Sequence, residues 1–370
     1  MMLIPIRPEI EPMLPYPPGL PEGEVKRRYG LERVVKLASN ENPLGPSPLA
    51  VAKLREADVA MSLHRYADPF ELRSVIAAEH HVASERVILG NGSDEITLLV
   101  ALAYLRPTDN IVTSIPEFIR YRMAADTMGA ATREVPLKNW QHDVDGLLNA
   151  IDANTRAVFV ASPTNPVGTM VPGGGIERLA REIPPNVLFV LDQAYHQYAC
   201  DDPDYPDTAA LLERHPNLMV TRTFSKAYGL AGIRLGYGVA SVEVAQAIER
   251  VRPPFNVNRL AMEAAVAALG DHEHIRLSME ANAAGLQQVN DGLRAIGLEP
   301  LPSRANFVLV ETPHEGRMLF EALLRRGVIV RPMGGYGMPR HLRISIGTPG
   351  ENAVMLGELA AVLAAGLPTA

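Results

Sequence analysis

Short runs of apolar residues alternate with longer helical stretches over residues 46–260, and this pattern most constrains the fold. Runs that are apolar on both faces predict strands of a mostly parallel sheet with helices on each side. The predicted strands span residues 87–89, 110–114, 157–161, 187–191, 218–221 and 234–239. Chemistry in such folds gathers beyond the carboxyl ends of the strands, so functional residues are expected there.

The two ends of the chain differ in texture from its middle. Residues 1–45 are rich in proline and lack a clear periodicity, which predicts an extended arm over another surface. After residue 260, a helical stretch to residue 296 precedes a smaller α+β region with strands at 306–311, 328–331 and 341–346 and helices at 316–326 and 351–365. We therefore predict an α/β protein with an arm (1–45), a large domain (46–260) and a smaller α+β domain (261–370), since single cores stop growing near ~250–300 residues.

The composition excludes several classes of protein. With 47% hydrophobic residues, 21% charged residues and a net charge of −7, the chain has no basic footprint for nucleic acid. Its one cysteine, Cys200, rules out an intramolecular disulfide and fits a reducing cytosol. Residues 1–8 lack the pattern of a signal peptide, and no apolar run approaches the ~18 residues of a membrane span. We expect a cytoplasmic protein.

Lys226 lies just past the predicted strand at 218–221, in a setting typical of a functional lysine. Hydroxyl groups precede it at Thr223 and Ser225, and Arg234 follows it. Lysine amines form imines, while hydroxyls and guanidinium groups bind phosphate well. This combination favours a Schiff base between Lys226 and pyridoxal phosphate. The alternative is a surface lysine in a glycine-rich turn.

Other predicted strands are also followed by candidate binding residues. The turn at 90–95 (Gly-Asn-Gly-Ser-Asp-Glu) opens an apolar helix, whose free amides and dipole would attract a phosphate. Ser93 could instead be only the cap of that helix. Phe118, nearer its strand end than Tyr121, could stack on a flat heteroaromatic ring or belong to the core. Asn165 could donate to a phenolate oxygen or simply form a turn.

Asp192 follows the apolar run at 187–191, where a carboxylate is costly to desolvate unless it meets a cation. A pyridinium nitrogen would serve, because opposite charges ~3 Å apart attract by roughly 5 kcal/mol at an effective dielectric of ~20. An acid at the ring nitrogen is typical of pyridoxal-phosphate enzymes. Tyr195 could donate to O3′ of the same ring. An ordinary ion pair or a helix cap is the alternative for Asp192.

Arg343 lies in the predicted strand at 341–346, in which polar and apolar residues alternate. A buried arginine pairs best with a carboxylate that it can bind through two hydrogen bonds, and an amino-acid substrate supplies one. An ordinary buried ion pair is the alternative.

Together these motifs resemble the fold-type I pyridoxal-phosphate aminotransferases and, within them, the histidinol-phosphate aminotransferases. The similarity is most specific in the lysine segment, with Asn165, Asp192, Tyr195 and Arg234 in that order around it. The likeness to the subfamily depends on the N-terminal arm and on Arg331. The matching segments, which span nearly the whole chain, are 15–16, 38–46, 64–69, 91–94, 165–168, 192–195, 225–226 and 342–347.

The resemblance implies a role for each of these residues. Lys226 would be the Schiff-base lysine and proton shuttle, and Asp192 would bind the ring nitrogen. Asn165 and Tyr195 would bind O3′. The other cofactor-binding residues would be Gly92, Ser93, Asp94, Phe118, Thr223, Ser225 and Arg234, with Tyr66 reaching the cofactor phosphate from a neighbouring subunit of a homodimer. The substrate-binding residues would be Tyr16, Asn165 and Arg343, with Arg331 for the distal phosphate.

The implied function is transamination of L-histidinol phosphate with 2-oxoglutarate in histidine biosynthesis. The alternatives are an aromatic or broad-specificity aminotransferase and a phospho-amino-acid decarboxylase of the same fold. A nucleotide-binding Rossmann protein is disfavoured, because no G-x-G-x-x-G follows the first strand. Gln193 and Phe118 stand where glutamate and tyrosine are common in the family. The histidines lack convergent ligand spacing, so no metal is predicted.

Overall fold

A seven-stranded sheet organises most of the chain, which this computed structural model describes over residues 4–15 and 19–366, without the side chains of Val59 and Leu63. The strands are β1 (Val35–Lys36), β2 (Val87–Gly90), β3 (Asn110–Ile115), β4 (Ala131–Pro136), β5 (Thr155–Ala161), β6 (Leu188–Asp192), β7 (Leu218–Thr223), β8 (Gly236–Val239), β9 (Phe307–Glu311), β10 (Val328–Ile329), β11 (Arg331–Pro332) and β12 (His341–Ser345). The order in the large sheet is β2-β8-β7-β6-β5-β3-β4. Neighbours from β3 to β7 are parallel, whereas β8 is antiparallel to both β2 and β7. The predicted mostly parallel sheet is confirmed.

Helices pack on both faces of this sheet and on the smaller sheets of the C-terminal part. They are α1 (Glu22–Tyr29), α2 (Pro48–Glu56), α3 (Val59–His64), α4 (Phe70–Glu79), α5 (Ser93–Tyr104), α6 (Arg120–Thr127), α7 (Val144–Asn149), α8 (Gly173–Glu182), α9 (His196–Ala199), α10 (Thr208–Arg214), α11 (Val242–Glu249), α12 (Arg259–Leu269), α13 (His272–Ala295), α14 (Gly316–Arg325) and α15 (Pro349–Ala365). None of these described helices is both long and apolar enough to cross a membrane.

Alternate residues of the central strands pack into different core clusters. In β5, Val158 and Val160 join apolar residues of α2, α4, α8 and α12. Ala157 and Phe159 of the same strand join residues of α5, α6 and α11. Burial of one such valine or phenylalanine side chain stabilises the fold by about 1.5–3 kcal/mol. Both faces of the sheet are therefore buried, which explains why its strands are apolar throughout.

Two strands at the margins of the predicted set differ from expectation. Strand β4 escaped prediction because it lies at one edge of the sheet and, apart from Val135, its side chains are exposed or half-buried. Strand β8 begins at Gly236, not at Arg234 as predicted. Arg234 has a left-handed backbone with φ 56°, and this conformation cannot continue into a strand.

The C-terminal part of the chain forms two smaller sheets. Strands β11, β12 and β9 form an antiparallel sheet in that order, and β10 pairs in parallel with β1 from the N-terminal segment. Part of the segment predicted to be an extended arm is therefore regular structure, namely α1 and β1. These two elements are stabilised by packing, because Val25, Val35 and Leu37 bury their side chains against the C-terminal elements. The division into an arm and two domains stays a prediction.

The helical stretch predicted over 260–296 is divided into α12 and α13 at Gly270 and Asp271. The Asp271 carboxylate caps α13 by accepting a hydrogen bond from the His274 amide at 3.2 Å. It also accepts one from the Ser47 hydroxyl at 2.6 Å, which joins this corner to the start of α2. Aspartate at an N-cap stabilises a helix by about 1 kcal/mol.

Candidate active site

A cavity of about 250 Å³ opens at the carboxyl ends of three parallel strands, β5, β6 and β7. The last residue of each strand lines it, namely Ala161, Asp192 and Thr223. The residues predicted from the sequence that line this cavity are Gly92, Ser93, Asp94, Phe118, Asn165, Asp192, Tyr195, Thr223, Ser225, Lys226 and Arg234. The structure thus brings these side chains, which are far apart in sequence, to one edge of the sheet, as expected for a parallel α/β fold.

Lys226 lies just beyond β7, and its Nζ donates a hydrogen bond to the carbonyl oxygen of Ser39 at 3.1 Å. Burial lowers the pKa of the Lys226 amine from 10.5 to about 8, helped by the guanidinium groups of Arg343 and Arg234. The carboxylate of Glu41 acts in the opposite direction. A larger fraction of the amine is therefore neutral near pH 7 than in an exposed lysine, and the neutral amine is the nucleophile.

Asp192 is the last residue of β6, and its carboxylate is buried. Its Oδ2 accepts a hydrogen bond from the Tyr121 hydroxyl at 2.7 Å, and its Oδ1 accepts one from the Ala194 amide at 3.0 Å. Burial raises the pKa of Asp192, whereas these hydrogen bonds lower it. A cation placed in the cavity beside this carboxylate would be bound strongly, because the surroundings exclude water.

Two aromatic residues lie close to this carboxylate. Phe118 lines the cavity and meets the ring of Tyr121 edge to face, with ring centroids 5.6 Å apart. Tyr121 is fully buried, and its hydroxyl donates a hydrogen bond to the Asp192 carboxylate. The position of Phe118 is compatible with stacking on a ligand ring. The sequence did not indicate the hydrogen bond from Tyr121 to the Asp192 carboxylate.

An anion cradle lies where α5 begins. Gly92 has φ 85°, and a Cβ atom there would lie 2.6 Å from an Nη atom of Arg234, so a side chain at this position would displace the guanidinium. Arg234 donates to the Ser225 hydroxyl at 3.4 Å, and the Thr223 hydroxyl accepts from the Ser225 amide at 3.1 Å. Ser93 is the first residue of α5 and not its N-cap, which excludes the capping alternative. Free amides, hydroxyls and a guanidinium together suit a phosphate.

Two of the predicted side chains, Arg343 and Tyr195, bond to residues of the segment 38–40. Arg343 donates to the Asn165 side-chain oxygen at 2.7 Å and to the carbonyl oxygen of Ala38 at 2.8 Å. The Tyr195 hydroxyl accepts a hydrogen bond from the side-chain amide of Asn40 at 2.9 Å. Burial raises the pKa of Tyr195 to about 12, so its phenol is protonated at neutral pH.

A second cavity of about 430 Å³ adjoins the first and shares Lys226 and Asn165 with it. Arg331 and Arg343 both line it, and they are direct cross-strand partners in the β11–β12 pair. Arg331 and Arg343 therefore lie side by side in one sheet. The ion pair between Arg120 and Asp94, at 2.5 Å, lines the same space. Several guanidinium groups therefore converge next to the lysine, and they favour an anionic ligand.

One predicted residue that the structure describes, Tyr66, does not join these cavities. Tyr66 lines neither of them; its side chain is 79% exposed and stacks on Phe255 with ring centroids 4.1 Å apart. Tyr16 lies outside the described residues. The role assigned to each stays a prediction.

A buried pair that the sequence did not indicate, Glu117 and His142, lies behind the cavity. The Glu117 carboxylate accepts hydrogen bonds from the backbone amides of Phe118 at 3.0 Å and Ala161 at 3.4 Å, and from that of Asn165. Its Oε2 lies 3.2 Å from Nε2 of His142. Burial raises the pKa of Glu117 and lowers that of His142 to about 4. One carboxyl group thus holds the backbone of both loops that carry Phe118 and Asn165.

The segment Ala38–Asn40 is a second set of site residues without an assigned role in the sequence. Each of its residues bonds to a different predicted side chain: Ala38 to Arg343, Ser39 to Lys226 and Asn40 to Tyr195. The segment lies in the stretch 38–46 that matches the aminotransferases. That match was the available signal, but a sequence pattern does not tell which partners the residues contact.

Comparison with known sequences gives a consistent family. Residues 32–359 match the family of class I and II aminotransferases. Histidinol-phosphate aminotransferase 2 of Pseudomonas fluorescens strain Pf0-1 is 47% identical over 362 residues, which cover 97% of this chain and 98% of that protein. Histidinol-phosphate aminotransferase of Bacillus licheniformis is 44% identical, over 98% of this chain and 100% of that protein.

Solved structures agree on the fold. The crystal structure of histidinol-phosphate aminotransferase from Sinorhizobium meliloti, in complex with pyridoxal 5′-phosphate, has a TM-score of 0.89 and 28% identity, over 97% of this chain and 98% of that one. An aspartate aminotransferase from Thermus thermophilus has a TM-score of 0.85 at 23% identity, over 97% of this chain and 100% of that one, and shows likeness of fold alone.

Proposed function

Because the chain belongs to the class I and II aminotransferases and, within them, to the histidinol-phosphate aminotransferase family, we propose that it transfers the amino group of L-histidinol phosphate to 2-oxoglutarate with pyridoxal phosphate as cofactor. One observation carries the proposal. A lysine with a lowered pKa, a buried carboxylate and an anion cradle converge in one cavity, and two paired arginines line the space next to it.

The cavity fits the cofactor at both of its charged ends. The space kept open by Gly92 beside Arg234 would take the phosphate, with the hydroxyls of Thr223 and Ser225 as further donors. The carboxylate of Asp192 would bind the ring nitrogen, since a buried acid gains most from a cation partner. When bound, pyridoxal phosphate supplies a ring that accepts the electron pair released from the substrate.

The remaining side chains of this cavity would orient the ring and move protons. Phe118 would pack on the ring face, and Asn165 with Tyr195 would donate to its phenolic oxygen, because both line the same cavity. Lys226 would bind the cofactor covalently and carry the proton to and from the substrate carbon. Its pKa of about 8 suits this role, since an acid–base group works best with a pKa near the operating pH.

The paired arginines fit the chemistry of histidinol phosphate. This substrate has no carboxylate; its phosphate is joined through one methylene group to the carbon that carries the amine. The phosphate therefore lies near the place that the α-carboxylate occupies in glutamate, so Arg343 can bind either group and Arg331 adds a second cation for the phosphate. Arg331 and Arg343 lie side by side, so the two guanidinium groups together can bind a doubly charged phosphate.

We propose a homodimer in which Tyr66 binds the cofactor phosphate of the partner subunit. Tyr66, Phe255 and Phe70 have exposed side chains, with 79%, 55% and 72% of their surface accessible. Exposed aromatic residues in contact with each other, as Tyr66 and Phe255 are, are typical of interaction surfaces. A tyrosine that lines neither cavity of its own chain can act as a cofactor ligand only across such an interface.

An aromatic amino-acid aminotransferase is the second candidate. A cavity of about 810 Å³, lined by apolar residues such as Met13, Leu20 and Phe320, also reaches Arg331 and Tyr336. Such a space would accept a phenyl or indole side chain. Purified enzyme should therefore be assayed with 2-oxoglutarate and either L-histidinol phosphate or L-phenylalanine. A higher kcat/KM for phenylalanine would reverse the proposed preference, and release of carbon dioxide would indicate a decarboxylase.

A further inference from the structure

Asn40 is held in a conformation that few residues adopt. Its backbone is left-handed with φ 56°, and its side chain is buried. Asparagine tolerates this region better than most residues, yet a buried non-glycine residue there needs support from its surroundings. Such positions cluster at functional sites, which suggests that the contacts of Asn40 have a function.

The hydrogen bonds of Asn40 determine which way its amide points. The Asn40 backbone amide donates to the Ser345 hydroxyl oxygen at 2.8 Å, so this hydroxyl directs its own hydrogen elsewhere. It donates that hydrogen to the side-chain oxygen of Asn40 at 2.7 Å. The Asn40 NH₂ group is thereby turned toward the Tyr195 hydroxyl, 2.9 Å away.

The direction of this bond matters for the phenol. Because the Tyr195 oxygen accepts from Asn40, the phenol's own hydrogen is available to another acceptor. We propose that Asn40 is a positioning residue, which directs the hydrogen-bond donor of Tyr195 into the cofactor cavity. This inference rests on the proposed function, in which Tyr195 donates to the phenolic oxygen of the cofactor.

The same residue links the phenol to the sheet that binds substrate. Ser345 and Arg343 lie on β12 at positions i and i+2, so their side chains leave the same face of the strand. Arg343 donates to the Ala38 carbonyl and Ser345 to the Asn40 side chain. The segment Ala38–Asn40 therefore connects the arginine that would bind the substrate anion with the tyrosine that would bind the cofactor.

A comparison of Asn40→Asp with Asn40→Gly tests the direction of the bond. Glycine removes the donor and relieves the backbone, but leaves the phenol free to donate. An aspartate carboxylate can only accept, so the phenol would turn toward it and away from the cavity. Loss of a neutral hydrogen bond costs roughly 2- to 10-fold. We expect a loss of cofactor affinity in the apoprotein within that range for Asn40→Gly, and a larger loss for Asn40→Asp, with kcat falling more than KM changes.

A double-mutant cycle with Tyr195→Phe shows whether Asn40 acts through the phenol. The effect of Asn40→Asp on cofactor affinity should nearly vanish when the hydroxyl is already absent. Asn306→Ala is the matched control, because that buried asparagine bonds the Asn40 carbonyl oxygen at 3.0 Å and not Tyr195. Its effect should add to that of Tyr195→Phe.

Additive effects of Asn40→Asp and Tyr195→Phe on cofactor affinity would overturn the inference. The same cycle, measured on the thermal unfolding of apoprotein with Asn40→Gly, tests the Asn40–Tyr195 bond without any cofactor. Additive changes in Tm there would overturn the inference even if the enzyme is an active aminotransferase. Failure of the unsubstituted protein to bind pyridoxal phosphate would instead contradict the proposed function.

Discussion

The hydroxyl of Tyr121 donates a 2.7 Å hydrogen bond to the Asp192 carboxylate, and both side chains are buried. Burial alone raises the pKa of Asp192, and this bond opposes the rise. In the proposed reaction the carboxylate must be ionised to bind the ring nitrogen. The hydrogen bond from Tyr121 therefore keeps Asp192 ionised over a wider range of pH.

Tyr121→Phe should shift the acid side of the pH profile. Without the hydroxyl the pKa of Asp192 rises further, so activity is lost at a higher pH as the medium is acidified. A hydrogen bond to a charged group contributes about 1.5–3 kcal/mol, which corresponds to roughly one or two pH units. The measurement is kcat/KM against pH. Tyr237→Phe, which removes a buried hydroxyl bonded to His80, is the control and should leave the acid limb in place.

Asp192→Asn should lower activity by orders of magnitude at every pH, while the protein still folds and binds cofactor. The amide cannot stabilise a protonated ring nitrogen, so the electron-accepting capacity is lost. Turnover near that of the unsubstituted enzyme would mean that Asp192 does not face the ring nitrogen.

Lys226 should be the residue that binds the cofactor covalently. Reduction of the holoenzyme with borohydride, followed by peptide mapping, should place the pyridoxyl group on Lys226. An adduct on another lysine would disprove the assignment. This expectation follows from the position of the amine, which lies in the same cavity as the anion cradle and Asp192.

The lowered pKa of Lys226 also has a consequence for the stability of the apoprotein. A lysine with a pKa of about 8 when folded and 10.5 when unfolded binds fewer protons in the folded state between these values. Stability should therefore rise as the pH increases from about 8 to 10.5. Lys226→Met should be more stable than the unsubstituted protein below pH 8, by at most about 3 kcal/mol, and this advantage should shrink above it. Chemical denaturation of both apoproteins across this range would detect the difference.

Arg331→Ala should separate the two candidate substrates. Loss of one charged hydrogen bond to the phosphate should raise KM for L-histidinol phosphate roughly 10- to 150-fold. Phenylalanine has no phosphate, and its carboxylate can still bind Arg343, so its KM should change much less. Equal losses on both substrates would indicate that Arg331 is structural and would favour the aromatic aminotransferase.

Much of this site could be anticipated because its residues follow strand ends. Lys226, Asp192 and Asn165 lie directly beyond apolar runs, and a parallel sheet places such positions along one edge. The strands of the sheet were visible for the same reason, since burial on both faces makes them continuously apolar. Strand β4 lacks that burial and therefore gave no signal.

The hydrogen bonds that position the site residues could not be predicted in this way. Asn40 and Tyr195 are bonded across 155 positions of sequence, and Glu117 reaches the backbone of Asn165 from another loop. Such contacts depend on how distant segments of the chain meet, which periodicity does not encode. The structured part of the N-terminal segment was missed for a related reason, because β1 acquires its strand partner, Val328, only in the folded chain.

Glu117→Gln should weaken cofactor binding beyond its effect on stability. The Glu117 carboxyl group now accepts hydrogen bonds from backbone amides of both loops. The NH₂ group of glutamine cannot accept such a bond and would face a backbone N–H instead. The loops that carry Phe118 and Asn165 would therefore separate. We expect the Kd of the apoprotein for pyridoxal phosphate to rise about tenfold, at the upper end of the range for loss of one hydrogen bond.

Asp109→Asn is the matched control for Glu117→Gln. Asp109 is also buried. It comes just before β3, whereas Glu117 follows the same strand, and the Asp109 carboxylate pairs with Arg156 at 3.1 Å. It should lower Tm without changing cofactor affinity. Equal affinity in both variants would mean that Glu117 serves stability alone.

Mixed dimers test whether Tyr66 acts across the interface. A dimer of Lys226→Ala and Tyr66→Ala chains contains one site that combines an intact lysine with a tyrosine from the partner. If Tyr66 acts in trans, mixing equal amounts of the two variants should restore up to about a quarter of the unsubstituted activity, because exchange of subunits makes about half of the dimers mixed and each mixed dimer has one complete site of two. If Tyr66 acts within its own chain, no mixed dimer has a complete site and activity should not recover. Sedimentation velocity on each variant should give the mass of a dimer; a monomer that is fully active would contradict the proposed assembly.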